Sequence, residues 1–310
     1  MNVTADADNG LHAVASALPG RFLGIDAGGS GTRAILLERG QVTVLPDGPP
    51  MNALLTPGLT EYLGPIISAA GATAAGIGLP GVRLAGQAHQ IGQALARRAG
   101  YPVHVTGDPD AARCGAFLGA PGIVVIAGTG SVALGWDGER FARSGGHGFL
   151  LGDEGSAYWI GREAVRSALR FEEQAGGSEL LHRTVTEATG SSLDALISEV
   201  NVHRADRSRL AVLAPVVTAI AGHDPEARRI VWCAAEHLAA LAESVRRRLG
   251  PLPVAGTGGV FRAPTIWAHF TKLTGTARPL ATPAVGAALL AATCTPQSPA
   301  PSCSLHEPSG

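Results

Sequence analysis

The chain has 310 residues, 45% of them hydrophobic, and its 24 basic and 25 acidic side chains leave a formal charge of −1. That length carries two ordinary domains or one large one, with apolar content for a sizeable core. The near-neutral balance argues against a nucleic-acid binder, which carries a basic stripe, and the one lysine, Lys272, is not in a P-loop setting.

In chain order, residues 1–20 are polar and Ala-rich and read as a disordered leader. They lack the basic start and continuous apolar run of a signal peptide. An apolar strand at 21–25 ends in Asp26 and a glycine turn, Gly28-Gly29-Ser30-Gly31-Thr32, and strands follow at 32–38 and 41–45. Helical spacing covers 60–70, a buried strand 75–79, a helix 84–98, and a strand at 101–106 running into Gly107-Asp108. The next strand, 122–127, ends in a second turn, Gly128-Thr129-Gly130-Ser131, and resumes at 132–136. The order strand, glycine turn with hydroxyls, strand therefore occurs twice, which points to two similar halves.

The second half turns helical at 156–170, 179–189, 192–199, 207–221 and 227–249. A third glycine turn, Gly256-Thr257-Gly258-Gly259, follows 253–255, and a last helix covers 283–292. Residues 296–310, rich in Pro and Ser, read as a disordered tail. The alternation of strands and helices predicts an α/β architecture. No uninterrupted apolar run reaches the roughly 18–20 residues of a membrane span, and Cys114, Cys233, Cys294 and Cys303 form no C-x-x-C pair. The expectation is a cytoplasmic protein with reduced thiols and no membrane partner.

Glycines after a strand let backbone N–H groups approach a phosphate, to which Ser30, Thr32, Thr129 and Ser131 add hydroxyls. Asp26, at the strand end, suits Mg²⁺, which prefers a carboxylate and several waters. The alternative for any one turn is a hairpin that merely needs glycine. Asp108 stands between the halves, where a carboxylate can accept the proton of an alcohol as it attacks phosphorus; Asp108 or Asp110 reads equally as a helix cap. Gly145-Gly146-His147-Gly148 and Gly152-Asp153-Glu154-Gly155-Ser156 place acids between glycines before a helix. There they either pair with sugar hydroxyls or cap; His147 reads as structural.

Residues 24–33 (Gly-Ile-Asp-Ala-Gly-Gly-Ser-Gly-Thr-Arg), 127–131, 152–160 (Gly-Asp-Glu-Gly-Ser-Ala-Tyr-Trp-Ile) and 256–261 resemble, in order, the N-acetylglucosamine kinase branch of the BadF/BadG/BcrA/BcrD ATPase family. That family belongs to the actin, sugar kinase and Hsp70 superfamily. The resemblance implies two ribonuclease-H-like (actin-like ATPase) domains flanking an interdomain nucleotide cleft. Domain boundaries follow at 21–107 with helix 283–293, and at 108–282 with a helical insert. It implies ATP and Mg²⁺ as cofactors and a small-molecule sugar as substrate, phosphorylated at the 6-hydroxyl if it is N-acetyl-D-glucosamine; similar kinases are commonly homodimers. Gly28–Thr32, Gly128–Ser131 and Gly256, Gly258 and Gly259 become the nucleotide-binding positions and Asp26 the metal position. Asp108 falls where the family has its catalytic aspartate, and Asn52, Thr129, Gly146, Asp153 and Glu154 fall near the sugar.

This sequence departs from the family at two points. The usual Asn before the catalytic Asp is Gly107, which makes Asp110 a competitor, and the usual first-turn lysine is Gly31, with Arg33 as the substitute cation. The group accepted at sugar C2 is not legible, so glucosamine, N-acetylmannosamine, N-acetylmuramate and glucose stay open. So does an activator ATPase of the 2-hydroxyacyl-CoA dehydratase type, which uses paired cysteines for an iron–sulfur cluster.

Overall fold

The computed structural model describes residues 3–28, 31–53, 56–82, 85–202 and 207–293. The chain divides into two units, 1–122 with 278–310, and 123–277. The tail expected at 296–310 lies outside the described residues.

The first unit opens with a helix, α1 (Val3–Ser16), where the sequence reading expects a disordered leader. The reason is a short apolar stripe: Leu11, Ala15 and Leu18 recur at helical spacing, and Ala15 is only 1% exposed among Phe22, Ile35 and Leu37. Strands β1 (Arg21–Gly28), β2 (Gly31–Glu38), β3 (Gln41–Val44), β4 (Ala74–Gly78) and β5 (Val103–Thr106) form one sheet in the order β3-β2-β1-β4-β5. β1 to β3 run antiparallel in sequence, while β4 pairs in parallel with β1 on one side and with β5 on the other. Parallel strands need crossovers, supplied by α2 (Leu59–Ala69) and α3 (Ala85–Ala99), which cover one face over Leu63, Ile67, Ile77 and Leu95.

The other face is covered by α4 (Asp108–Phe117) and, from the far end of the chain, α12 (Pro283–Thr293). Helix and sheet touch backbone to backbone there. A Cβ on Gly24 would stand 2.0 Å from the Ala284 carbonyl, and one on Gly76 would stand 1.9 Å from that of Ala287. α12 also meets α4 at Gly286 and Gly115. That contact assigns α4 to the first unit, whereas the sequence reading begins the second domain at 108.

The second unit repeats the plan with one strand fewer. β6 (Gly122–Ala127), β7 (Ser131–Trp136), β8 (Phe141–Gly145) and β9 (Val254–Thr257) order as β8-β7-β6-β9, with β6 and β9 parallel. The position of β9 beside β6 corresponds to that of β4 beside β1. Between β8 and β9 lie α5 (Ala157–Glu172), α6 (Glu179–Thr189), α7 (Leu193–Val202), α8 (Ser208–Ala211), α9 (Ala214–Ile220) and α10 (Pro225–Leu249). A 3₁₀ turn (Gly259–Arg262) and α11 (Pro264–Thr274) follow β9. The helix read at 207–221 is thus two short ones, α8 and α9. No helix among the described residues is long and apolar enough to cross a membrane.

Two helix starts in this unit share one buried network. Ser178 caps α6 by accepting the Leu181 N–H, and donates its hydroxyl to Asp224, which caps α10 through the Ala227 N–H. Asp224→Ala removes a cap and orphans a buried hydroxyl, so it should cost about 2–4 kcal/mol in urea unfolding. Asp224→Asn, which keeps an acceptor, should cost about 1 kcal/mol or less.

Candidate functional site

In the first unit, the predicted residues converge on the carboxyl ends of the parallel strands, where open α/β sheets bind ligands. Asp26, near the end of β1, lies opposite Gly78 of β4 and Arg33 of β2. Gly78 in turn lies opposite Thr106 of β5, which leads into α4. With no side chain on Gly78, α4 settles directly over it: a Cβ there would be 2.7 Å from Ala111 and 3.5 Å from the Asp108 Cα. The missing side chain therefore brings the first turn of α4 beside the strand end that carries Asp26. Asn52 reaches the same edge: its side-chain oxygen would stand 2.5 Å from a Cβ on Gly81, and Ala53 N–H donates to Pro80 O.

Burial raises the Asp26 carboxyl to about 6, and the Arg33 charge opposes that only in part. Neither acid of α4 is its cap: Gly107 holds the N-cap position, and Asp108 and Asp110 lie in the first turn. The two differ in what they touch. Asp110 is buried, with Oδ1 accepting Arg113 Nε at 3.1 Å and Nη2 at 3.0 Å, and Oδ2 accepting the Thr106 hydroxyl at 3.2 Å. Both oxygens are thus taken up inside the fold. Asp108 is only partly buried. Thr32 is less available than the sequence implies, because its hydroxyl donates to Pro49 O at 2.6 Å and its N–H to Gly48 O at 2.9 Å. Gly29 and Ser30 lie outside the described residues, which leaves Gly28 and Gly31 of that turn in view.

In the second unit the 128–131 turn is braced from four sides. Gly128 N–H donates to Gly130 O and Ala157 N–H to Gly128 O, both at 2.9 Å; Gly146 N–H donates to Ser131 O at 2.9 Å, and the Ser131 hydroxyl to Glu154 O at 2.7 Å. Thr129 projects from the turn, exposed. Asp153 lies beneath it, 3% exposed, with Oδ1 accepting Ser131 N–H at 3.2 Å. Its backbone is left-handed, φ 63°, an arrangement that costs a non-glycine residue about 1 kcal/mol or more. Ser156 caps α5 through the Trp159 N–H, so the capping reading of this stretch holds for Ser156.

The third turn divides. Gly258 (φ 106°) would bring a Cβ 2.4 Å from the Ala127 carbonyl, so it lies against the start of the 128–131 turn, and Gly258 and Gly259 are exposed. Gly256 is buried in β9, where a Cβ would meet Trp267 and Phe261. Two residues that shape the site were missed in the sequence. Gly78 carries a signal, a glycine ending a buried strand; Arg207, which pairs with Asp153 Oδ2 at 3.1 Å, carries none.

The Asp26 carboxyl gives a pH prediction. Its folded pKa, about 6, exceeds the ordinary 3.8, so the folded state holds the proton more tightly and loses stability as pH rises from about 4 to about 6. Asp26→Asn should therefore stabilise the unliganded protein by about 1–3 kcal/mol at pH 7, and the gain should vanish near pH 4 in denaturant titrations of both proteins.

The 269-residue stretch 23–291 matches the family profile of the BadF/BadG/BcrA/BcrD ATPases. Curated relatives align over shorter stretches. The chain is 38% identical over 96 residues to the N-acetylmuramic acid/N-acetylglucosamine kinase of Clostridium acetobutylicum, 30% of this chain and 31% of that one. It is 43% identical over 67 residues to the N-acetyl-D-glucosamine kinase of Dictyostelium discoideum, 21% of each. The aligned segments thus span less than a third of those relatives. Likeness over most of the chain comes from the crystal structure of a protein proposed to be an N-acetylglucosamine kinase from Chromobacterium violaceum, with TM-score 0.70 and 26% identity over 87% of this chain and 98% of that one. With the repeated strand order, that likeness makes the two units ribonuclease-H-like domains of the actin-like ATPase fold. The chain belongs to the BadF/BadG/BcrA/BcrD ATPase family.

Proposed function

We propose that this protein transfers the γ-phosphoryl group of MgATP to the 6-hydroxyl of N-acetyl-D-glucosamine. The observation that carries the reading is that Gly78 has Asp26 of β1 opposite it and the Asp108 backbone, at the start of α4, over it, at the carboxyl end of the parallel strands. Asp108 accepts the proton of the 6-hydroxyl as its oxygen bonds to phosphorus and the bond to the leaving ADP oxygen breaks. Asp26 offers a hard oxygen donor of the kind Mg²⁺ takes, and a divalent cation relieves the burial that raises its pKa. Mg²⁺ bound with the nucleotide would neutralise charge on the transferring phosphoryl group. The 28–32 and 128–131 turns are the proposed phosphate sites, with Gly258 and Gly259 exposed for the rest of the nucleotide. Asn52, Thr129, Gly146, Asp153 and Glu154 are the proposed sugar contacts. Positioning and charge neutralisation supply most of the rate.

A second reading, N-acetylmuramate as an additional substrate, is supported by the Clostridium relative, whose name carries both sugars. A coupled ADP-release assay over N-acetylglucosamine, N-acetylmuramate, glucosamine, N-acetylmannosamine and glucose ranks the two. ADP release indifferent to every sugar would sink the kinase reading in favour of a sugar-independent ATPase, and a brown, iron-bearing preparation would favour the dehydratase activator.

The two acids of α4 should separate cleanly. Asp108→Asn should lower kcat by roughly 10²-fold or more with little change in KM; near-normal turnover would remove Asp108 from the base role. Asp110→Asn should lose roughly 2–4 kcal/mol of stability through its buried Arg113 pair, while the folded fraction keeps most of its turnover.

A further inference from the structure

Asp153 is buried and left-handed, two properties that each need a reason. Its side chain underlies the 128–131 turn: a Cβ on Gly130 would stand 2.8 Å from Oδ1 and 2.9 Å from Oδ2. Oδ1 is fixed by Ser131 N–H. Oδ2 is fixed by Arg207 Nη1 at 3.1 Å, and among the described residues this is the one ion pair Asp153 makes. A buried carboxylate without a cation carries a desolvation cost of several kcal/mol, and Arg207 is the cation that faces Asp153 here.

The fold brings Arg207 there from 54 residues away in sequence. Arg207 immediately precedes α8, and α8 is seated on α5 through Gly161, where a Cβ would be 1.9 Å from the Leu210 carbonyl. α5 itself begins at Ala157, just after its cap Ser156 and four residues after Asp153. The close seat of α8 on α5 thus returns the guanidinium to the carboxylate. The Arg207 side chain remains 39% exposed while that of Asp153 is 4% exposed, so the pair has one open end and one closed end.

We propose that Arg207 is a positioning residue for the sugar, acting through Asp153. This rests on the sugar-kinase reading above. A carboxylate offers about four acceptor directions, and Ser131 and Arg207 occupy one on each oxygen; the remaining lone pairs take sugar hydroxyls. The 128–131 turn keeps its other braces without Arg207, namely the Ser131 hydroxyl on Glu154 O and the Gly146 and Ala157 N–H bonds. What Arg207 alone fixes is the direction of Oδ2. Its loss should therefore be felt by the sugar and not by the nucleotide.

The test is steady-state kinetics of Arg207→Ala and Arg207→Lys with the best sugar of the panel, beside thermal unfolding. Arg207→Ala should raise the sugar KM about tenfold, with kcat and the MgATP KM each within about threefold of wild type. Arg207→Lys, which keeps the charge, should recover much of the sugar KM, and so should millimolar guanidinium added to Arg207→Ala. A sugar KM within twofold of wild type in Arg207→Ala overturns the proposal. So does an MgATP KM that rises as far as the sugar KM, or a loss that tracks a lowered Tm and resists both rescues. A wild-type protein inactive on every sugar removes the kinase reading and this inference with it, whereas an active wild type with an unmoved Arg207→Ala removes Arg207 alone.

Discussion

The first unit depends on how closely α12 can lie on its sheet. Gly24 and Gly76 face it from β1 and β4, and any side chain there would drive a Cβ into a helix carbonyl at about half the normal contact distance. From that seat α12 meets α4 through the glycine pair Gly286 and Gly115, and α4 meets the strand edge through Gly78. Three successive glycine contacts thus determine where the N-terminus of α4 lies, and with it Asp108. A helix near the chain's end, which carries no proposed functional residue, sets the position of the proposed base.

The acids of the protein are sorted by environment and not by residue type. Asp110 and Asp108 stand two positions apart in the same helical turn, yet Asp110 is buried against Arg113 while Asp108 is only partly buried. Asp26 has its charge opposed by burial and eased in part by Arg33 across the strand pair. Asp153 is buried more deeply than Asp26 and holds its place by being bound on both oxygens. Asp224 is spent on linking two helix starts. Sequence spacing treats these as similar acids near glycines or helices, and only their partners separate them.

The regular elements were legible because their patterns are local. Most strands of the first unit follow from apolar runs closed by a glycine or a glycine turn, and the repeated strand–turn–strand order reappears as two sheets of one plan. Where reading failed, some of the signal was present. α11 carries its own local signals, Pro264 at its first turn, Ile266, Phe270 and Thr274 on one buried face and Gly275 as a left-handed cap. The leader helix α1 was missed because a polar composition hides a narrow stripe, Leu11, Ala15 and Leu18, that becomes apolar surface only when a sheet is there to receive it.

By itself, then, the sequence determined the α/β class, the two-fold repeat, the glycine turns and the set of acids at strand ends, since each is a property of neighbours along the chain. Tertiary structure decided which of those groups are available. It committed the Thr32 hydroxyl to Pro49, buried Gly256 in β9, tied Asp110 to Arg113 and brought Arg207 to Asp153 across 54 residues. Hydrogen-bond and charge partners are set by distance in space, and spacing along a chain fixes that distance only within a helix, a strand or a turn.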